Sequence, residues 1–354
     1  MSLLDNKNIK KTPISSLGEF GLIDHLTREV KLKNRCTIKG IGDDAAVIKN
    51  GKKHRLFSTD LLIEGVHFDL SYTPLKHLGY KSVAVNVSDI CAMNGLPKQI
   101  TLGLAVSNRF TIESLEELYA GINLACEHYG VDLVGGDTTS STSGLMISIG
   151  ILGEVQKDKI TYRSGAKKND LIVVTGDLGG AYLGLQILKR EKGIFLENPT
   201  IQPDLSGHDY VLQRQLKPEA GLRYLKILKD LNVTPSSMID VSDGLASELL
   251  HLSKASNVGI TIYEEKIPID YTVMNLAQEL NLNPIFCALN GGEDYELLFT
   301  ISQKDYEKFK KDIDFTIIGY INEKSGGNNF IAKDESVHKL TAQGWDSINE
   351  KRNF

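Results

Sequence analysis

The hydrophobic positions fall into short runs separated by glycine-rich and acidic turns, and these runs predict alternating strands and helices. In the first half, Arg55 to Thr59 predicts a strand running into Asp60. Pro74 to Met93 has helical periodicity and stops at Gly95, with Pro97 just beyond. Ile100 to Val106 predicts the next strand. Thr111 then caps a helix to Tyr129, with Glu113 in its first turn and Leu115, Leu118 and Ile122 on one face. Val131 to Val134 reads as a short strand ending at Gly135-Gly136-Asp137, and Leu145 to Leu152 as another. Near residue 155 the pattern turns polar and a second α/β unit begins, which divides the chain into domains 1–155 and 156–354.

In the second half, Leu171 to Thr175 is a buried-type strand, Gly176 to Gly180 a turn and Ala181 to Arg190 a helix. Glu191 to Gln215 is polar, with Pro and Gly, and reads as a surface excursion. Ser242 is placed as the N-cap of a helix through Ser256. The strands Gly259 to Tyr263 and Glu296 to Ile301 follow. No internal repeat or low-complexity tract interrupts this α/β pattern.

Composition narrows the function classes. The net charge of -5 and the lack of a Lys/Arg run interleaved with aromatics argue against nucleic acid as a partner. No apolar run approaches the ~18 residues of a membrane span, and polar Met1 to Lys11 has no apolar segment behind it. Four cysteines without CxxC spacing read as thiols of a reducing, cytoplasmic compartment. The histidines lack paired metal spacings, so any metal should be a hard cation held by oxygen.

Such oxygen ligands recur in five acidic strings set among very small residues. They are Gly40 to Ala46 (GIGDDAA), Ser58-Thr59-Asp60, Ser88-Asp89, Gly135 to Thr139 (GGDTT) and Asp240 to Gly244 (DVSDG). Small neighbours let a carboxylate and the backbone approach a ligand closely. Singly, each string also suits an ordinary turn or cap. Gathered together, two carboxylates ~4 Å apart would repel by about 4 kcal/mol at an effective dielectric near 20. Divalent cations would remove that cost and let an acidic pocket bind phosphates. Gly40-x-Gly42-x-x-Ala45, with Asp60 beyond it, imitates a dinucleotide fingerprint, but Asp43 and Asp44 would face the pyrophosphate and Gly51 intervenes before any helix. A Walker-type phosphate loop has no match in the chain.

These strings, with Gly18-Glu19-Phe20, STD-x-L-x-EGVHF from Ser58, NVSDICAM from Asn86, RSGAK from Arg163, GGEDYELLFT from Gly291 and GWD from Gly344, resemble the thiamine-monophosphate kinases in order along nearly the whole chain. The resemblance implies an aminoimidazole-ribonucleotide synthetase-like α/β fold. An α+β N-terminal domain would dimerise through its sheet, and a C-terminal α/β domain would complete an ATP cleft. It implies ATP-dependent phosphorylation of thiamine monophosphate to thiamine diphosphate, the last step of that biosynthesis, with several Mg²⁺ ions. By motif, Asp44, Ser58, Thr59, Asp60, Asp89, Asp137, Asp240 and Asp243 would serve the metals. Tyr119, Gly136, Asp137, Arg163 and Ser242 would serve ATP, and His67, Glu293 and Trp345 the thiamine moiety. An indole stacked on a cationic thiazolium would suit Trp345, the sole tryptophan, as would a tail anchor packed on the core.

The residues and the resemblance agree on mechanism. A phosphate monoester is largely dianionic at neutral pH, so the acceptor needs no general base, and no Ser/His/Asp or Cys/His relay is visible. Direct in-line transfer is the natural reading. Gly221 departs from the pattern, since the family usually has arginine there. The alternatives are a selenophosphate or aminoimidazole-ribonucleotide synthetase-like activity, or an acidic metal-binding protein without turnover.

Overall fold

Two sheets carry the chain, and the helices fill the space against them. The structure is a computed structural model and describes residues 16–309 and 314–343. After α1 (Gly18–Thr27), the strands β1 (Thr37–Lys39), β2 (Ala46–Asn50) and β3 (Lys53–Ile63) lead to α2 (Leu75–Ala92). Next come β4 (Leu96–Val106), α3 (Ile112–Tyr129), β5 (Asp132–Ser140) and β6 (Met146–Gln156). The first sheet has the order β1-β2-β3-β6-β4-β5 and is antiparallel except for the β4–β5 pair, which α3 connects.

Along β3 the period of two is clear. His54, Leu56 and Leu62 are buried towards α2, whereas Phe57 and Leu61 on the other face stay 43% and 45% exposed. One face of the sheet is therefore packed and the other is open. On the packed side α2 and α3 touch backbone to backbone. A Cβ on Gly79 would stand 2.1 Å from the Leu118 carbonyl oxygen, and one on Gly121 would stand 1.9 Å from that of Lys76. A capping box joins Thr111 and Ser114 at the start of α3, as the placement of Thr111 anticipated.

The second half comprises β7 (Leu171–Thr175), α4 (Gly180–Glu197), α5 (Asp209–Leu216), α6 (Leu222–Asp230), β8 (Ser237–Asp240), α7 (Leu245–Ser256) and β9 (Gly259–Tyr263). It continues with α8 (Tyr271–Glu279), α9 (Pro284–Asn290), β10 (Leu297–Ile301), α10 (Tyr306–Phe309), β11 (Phe315–Asn322), β12 (Asn328–Ile331) and β13 (Val337–Lys339). Its sheet order is β13-β12-β9-β11-β7-β10-β8. A single apolar cluster runs across both sheets, joining Val87, Ile90 and Ile149 to Tyr224, Met238 and Phe299. Among the described residues no helix is long and apolar enough to cross a membrane.

Several sequence expectations need correction. The strand expected to stop at Gly135 runs on to Ser140, because the parallel pairing with β4 continues through Val106–Ser140. The left-handed residue ending α2 is Asn94 (φ 56), not Gly95. The expected surface excursion from Glu191 is largely helical: α4 continues to Glu197 and α5 starts at Asp209. Buried Glu191 explains this, since it accepts from Arg190 and from the Asp204 amide at 2.9 Å. Ser242 is not an N-cap, since α7 begins after Gly244, whose φ of 117° needs glycine. At Gly221 a Cβ would meet Leu297 Cγ at 2.6 Å, so no longer side chain fits this backbone without a shift.

Candidate active site

Four of the five acidic strings meet where the packed face of the first sheet adjoins β8. Period two sends Ser58 and Asp60 of β3 towards α2, whose last two turns carry Asn86, Ser88 and Asp89. Hydroxyls hold two of the carboxylates in place, and a side-chain amide holds the backbone that carries a third. Ser58 Oγ donates to Asp89 Oδ2, Ser88 Oγ donates to Asp240 Oδ2 at 2.6 Å, and Asn86 Oδ1 accepts from the Asp60 amide at 3.1 Å. The turn before β2 adds Asp44. Asp44, Asp89 and Asp240 each offer an oxygen within 4.8 Å of the others.

The electrostatics follow from crowding in a dry site. Burial pushes Asp44 up to about 7, against the pull of the Arg163 guanidinium, and pushes Asp60 up to about 6. Burial and then the charges of Asp60, Asp240 and Asp44 hold Asp89 well above the usual carboxylate range. Asp243 rises to about 7 through burial, then Glu19 and Asp240. Arg163 counters part of this charge. Its Nη2 and Nε both reach Asp44 Oδ1, at 2.7 and 3.1 Å, and its amide donates to Asp43 Oδ1 at 3.0 Å. Asp44 Oδ2 and Asp43 Oδ2 are nonetheless buried without a hydrogen-bond partner. Orphaned carboxylate oxygens beside hydroxyls, with no thiolate or imidazole in the cluster, fit a hard divalent cation.

A second corner lies at the other end of the buried polar face of α2. The turn Gly291 to Tyr295 is pinned to the Asp240–Asp243 turn: Glu293 N donates to Ser242 O at 2.7 Å, and Tyr295 N to Val241 O at 2.9 Å. Glu293 faces Lys81, and half-buried His67 lies in the same neighbourhood, with Nδ1 accepting from the Ile63 amide at 3.0 Å. Burial lowers the His67 pKa, so its ring is neutral near pH 7.

This arrangement has relatives. The model of the AIR synthase related protein N-terminal domain matches residues 42–155. The thiamine-monophosphate kinase of Bacillus subtilis (strain 168) is 35% identical over 340 residues, 93% of this chain and 99% of its own length. That of Aquifex aeolicus (strain VF5) is 36% identical over 314 residues, covering 88% and 94%. The chain belongs to the thiamine-monophosphate kinase family. The structure of AaThiL complexed with AMPPCP and TMP superposes with a TM-score of 0.80 at 33% identity, covering 96% of this chain and 99% of that one. The hydrogenase maturation protein HypE in complex with ATP shares the fold, with a TM-score of 0.66 at 18% identity over 95% of this chain and all of its own.

Within this family framework, the packed corner gathers Asp44, Ser58, Asp60, Asp89, Asp240 and Arg163, with Asp243 and Ser242 on the adjoining turn. Four residues stand apart. Thr59 points to the open face of the sheet, because its neighbours Ser58 and Asp60 take the packed face. Asp60 lines up with Ile149, Leu102 and then Gly136 across the strands, which puts Gly136 and Asp137 three strand spacings away, roughly 14 Å. Tyr119 on α3 is half-buried against the apolar core, the packing role its helix position also allowed. Trp345 lies outside the described residues.

The sequence reading quoted Asn86 and Ser88 of α2 only within strings, with no role of their own, and did not single out Lys81 of α2 or Glu248 of α7, whose carboxylate accepts from the Asp243 amide at 2.9 Å. A usable signal existed for the first three. Lys81, Ser82, Asn86, Ser88 and Asp89 interrupt an otherwise apolar helix, yet the first four are buried.

Proposed function

We propose that the chain transfers the γ-phosphoryl group of ATP directly, in line, to the phosphate of thiamine monophosphate, yielding thiamine diphosphate. The observation that carries this reading is the convergence of buried Asp44 and Asp240 with half-buried Asp89, and an orphaned oxygen on Asp44. Membership of the family, and a relative's structure holding AMPPCP and TMP, supply the substrates.

Several magnesium ions, held by Asp44, Ser58, Asp60, Asp89, Asp240 and Asp243, would supply the positive charge that two polyanions need to approach each other. The chain's own residues do the rest. Ser58 and Ser88 fix the Asp89 and Asp240 carboxylates, and Asn86 fixes the Asp60 backbone, so that little reorganisation accompanies loading. Arg163, now forked onto Asp44, offers a planar guanidinium to a phosphate once Asp44 has another partner. No side chain need remove a proton, because the acceptor phosphate is already ionised. His67 is unsuited to that role, since its Nδ1 is occupied by a backbone amide.

The working unit in this reading is a cytoplasmic homodimer. The open face of the first sheet exposes Phe57, Leu61, Val134 and Met146 together with Thr59 and the Asp137 strand. A second copy covering that face would bury the apolar side chains and bring Asp137 into a site. The halves 1–155 and 156–354 would then serve dimerisation and cleft closure. An acceptor panel with ATP and Mg²⁺ tests the activity. Thiamine monophosphate should be converted, whereas thiamine, hydroxymethylpyrimidine phosphate and aminoimidazole precursors should not. Phosphorylation of thiamine at a comparable rate would overturn the base-free mechanism.

A further inference from the structure

Lys81 lies in the middle of α2 and is only 4% exposed. A buried ammonium is costly unless its hydrogen bonds are met. Here Nζ donates to Glu293 Oε2 at 2.8 Å and to the Gln215 carbonyl at 3.0 Å. Gln215 Nε2 donates to the same Glu293 oxygen at 2.7 Å. Two donors from α2 and α5 therefore hold one oxygen of Glu293. Its other oxygen, Oε1, accepts no hydrogen bond among the described residues.

Glu293 is also held in an unusual backbone state. Gly292, Glu293 and Tyr295 all have positive φ, at 70°, 59° and 53°. Residues with a Cβ adopt this region when their surroundings impose it. The surroundings are Lys81, Gln215 and the backbone of the Asp240–Asp243 turn.

Lys81 and Ser88 are seven residues apart, which is two helical turns on one face of α2 and roughly 10 Å. Ser88 donates to Asp240 in the carboxylate cluster. One rigid helix thus carries both the group that fixes Glu293 and groups that fix the proposed phosphate-transfer site.

We propose that Lys81 is a positioning residue for the acceptor. It clamps Glu293 Oε2, leaves Oε1 to receive a hydrogen bond from the acceptor's heterocycle, and sets that contact two helical turns from the transfer site. The pair is neutral overall, so Glu293 acts there as an aimed acceptor of a hydrogen bond more than as a free charge. This inference rests on the kinase reading above.

Steady-state kinetics of Lys81→Met, Lys81→Arg and Gln215→Met, with thiamine monophosphate and ATP varied in turn, test it. For Lys81→Met the acceptor KM should rise at least tenfold while the ATP KM stays within twofold. Lys81→Arg should recover most of the loss, and Gln215→Met should show a smaller shift of the same kind. In the Lys81→Met background, Glu293→Gln should add little, because the aim of that carboxylate is already lost. If Lys81 is only a structural pair, both KM values stay put while the amount of folded protein falls, and the inference is overturned. Additive effects of Lys81→Met and Glu293→Gln on acceptor KM would also overturn it. Should Lys81→Met not fold, Gln215→Met decides, and an unchanged acceptor KM there counts against the clamp. Wild-type protein inert towards thiamine monophosphate would instead remove the kinase reading, and the inference with it.

Discussion

Replacing Asp89 by asparagine should make the metal-free protein harder to unfold while removing most of its turnover. Asp89 is half-buried, and one of its oxygens lies within 4.8 Å of carboxylate oxygens on both Asp44 and Asp240. At that separation each pair of charges repels by about 3 kcal/mol at an effective dielectric near 20. Partial protonation reduces the relief. Burial raises Asp44 and Asp243 to about 7 and Asp60 to about 6, against an ordinary value of 3.8. A raised carboxylate stabilises the fold fully below its unfolded value near 4, and that contribution is lost as pH rises through 6 to 7. Metal-free wild type should therefore lose stability over that window, and the relief from Asp89→Asn should be largest at about pH 8, at about 1–3 kcal/mol. Asparagine keeps an oxygen for the Ser58 hydroxyl, so the local hydrogen bond survives. The assay is guanidinium unfolding of both proteins in EDTA at pH 6 and pH 8, with turnover measured on the same preparations in Mg²⁺. A variant that unfolds earlier at pH 8 yet retains full turnover would show that Asp89 is a structural residue, and the reasoning would fail.

Three further outcomes follow from the same geometry. Calorimetry in excess EDTA should detect no ATP binding, because the unloaded carboxylates repel phosphate; tight metal-free binding would sink the many-metal site. Gly121→Ala should lower stability by about 1–3 kcal/mol through overpacking, since its Cβ would stand 1.9 Å from the Lys76 carbonyl, with activity of the folded fraction retained. Equilibrium sedimentation should give a dimer for wild type and a monomer for Phe57→Asp/Leu61→Asp, with activity lost in the monomer; a monomeric but active wild type would refute the dimer reading.

Much of the site was legible because its carboxylates sit among residues too small to pack any other way. GIGDD, STD, SDI and DVSDG each mark a place where backbone and carboxylate come close, and four of these strings do converge. Thr59 shows where a motif outruns geometry. A string of three adjacent oxygens on one strand cannot share a face, because strand side chains alternate. Gly136 and Asp137 were read as an acidic string but not as part of a continuing strand, since glycine pairs weaken the local strand signal while the β4 ladder sustains it. Glu191 was hidden for the opposite reason: a charged residue in a polar stretch reads as surface until its buried partners are known. Lys81 stood out in an apolar helix, but its role was hidden because its partners come from segments more than 130 residues further along the chain.

The apolar cluster shared by the two sheets has a bearing on how such a protein can be made and divided. Val87 and Ile90 of the first half pack in one body with Tyr224, Met238 and Phe299 of the second. A nascent chain that has emerged only as far as the first sheet would leave α2 uncovered along the flank where β8 and α6 later settle. It would also present three loose carboxylate segments with no Asp240 to complete the trio. On the proposed function, catalytic competence and burial of that flank would arrive together, late in synthesis. A truncated product would be exposed to proteolysis and unable to sequester nucleotide unproductively. For the same reason the first half is a poor candidate for transplantation as a stand-alone module, although the family model covers it almost alone.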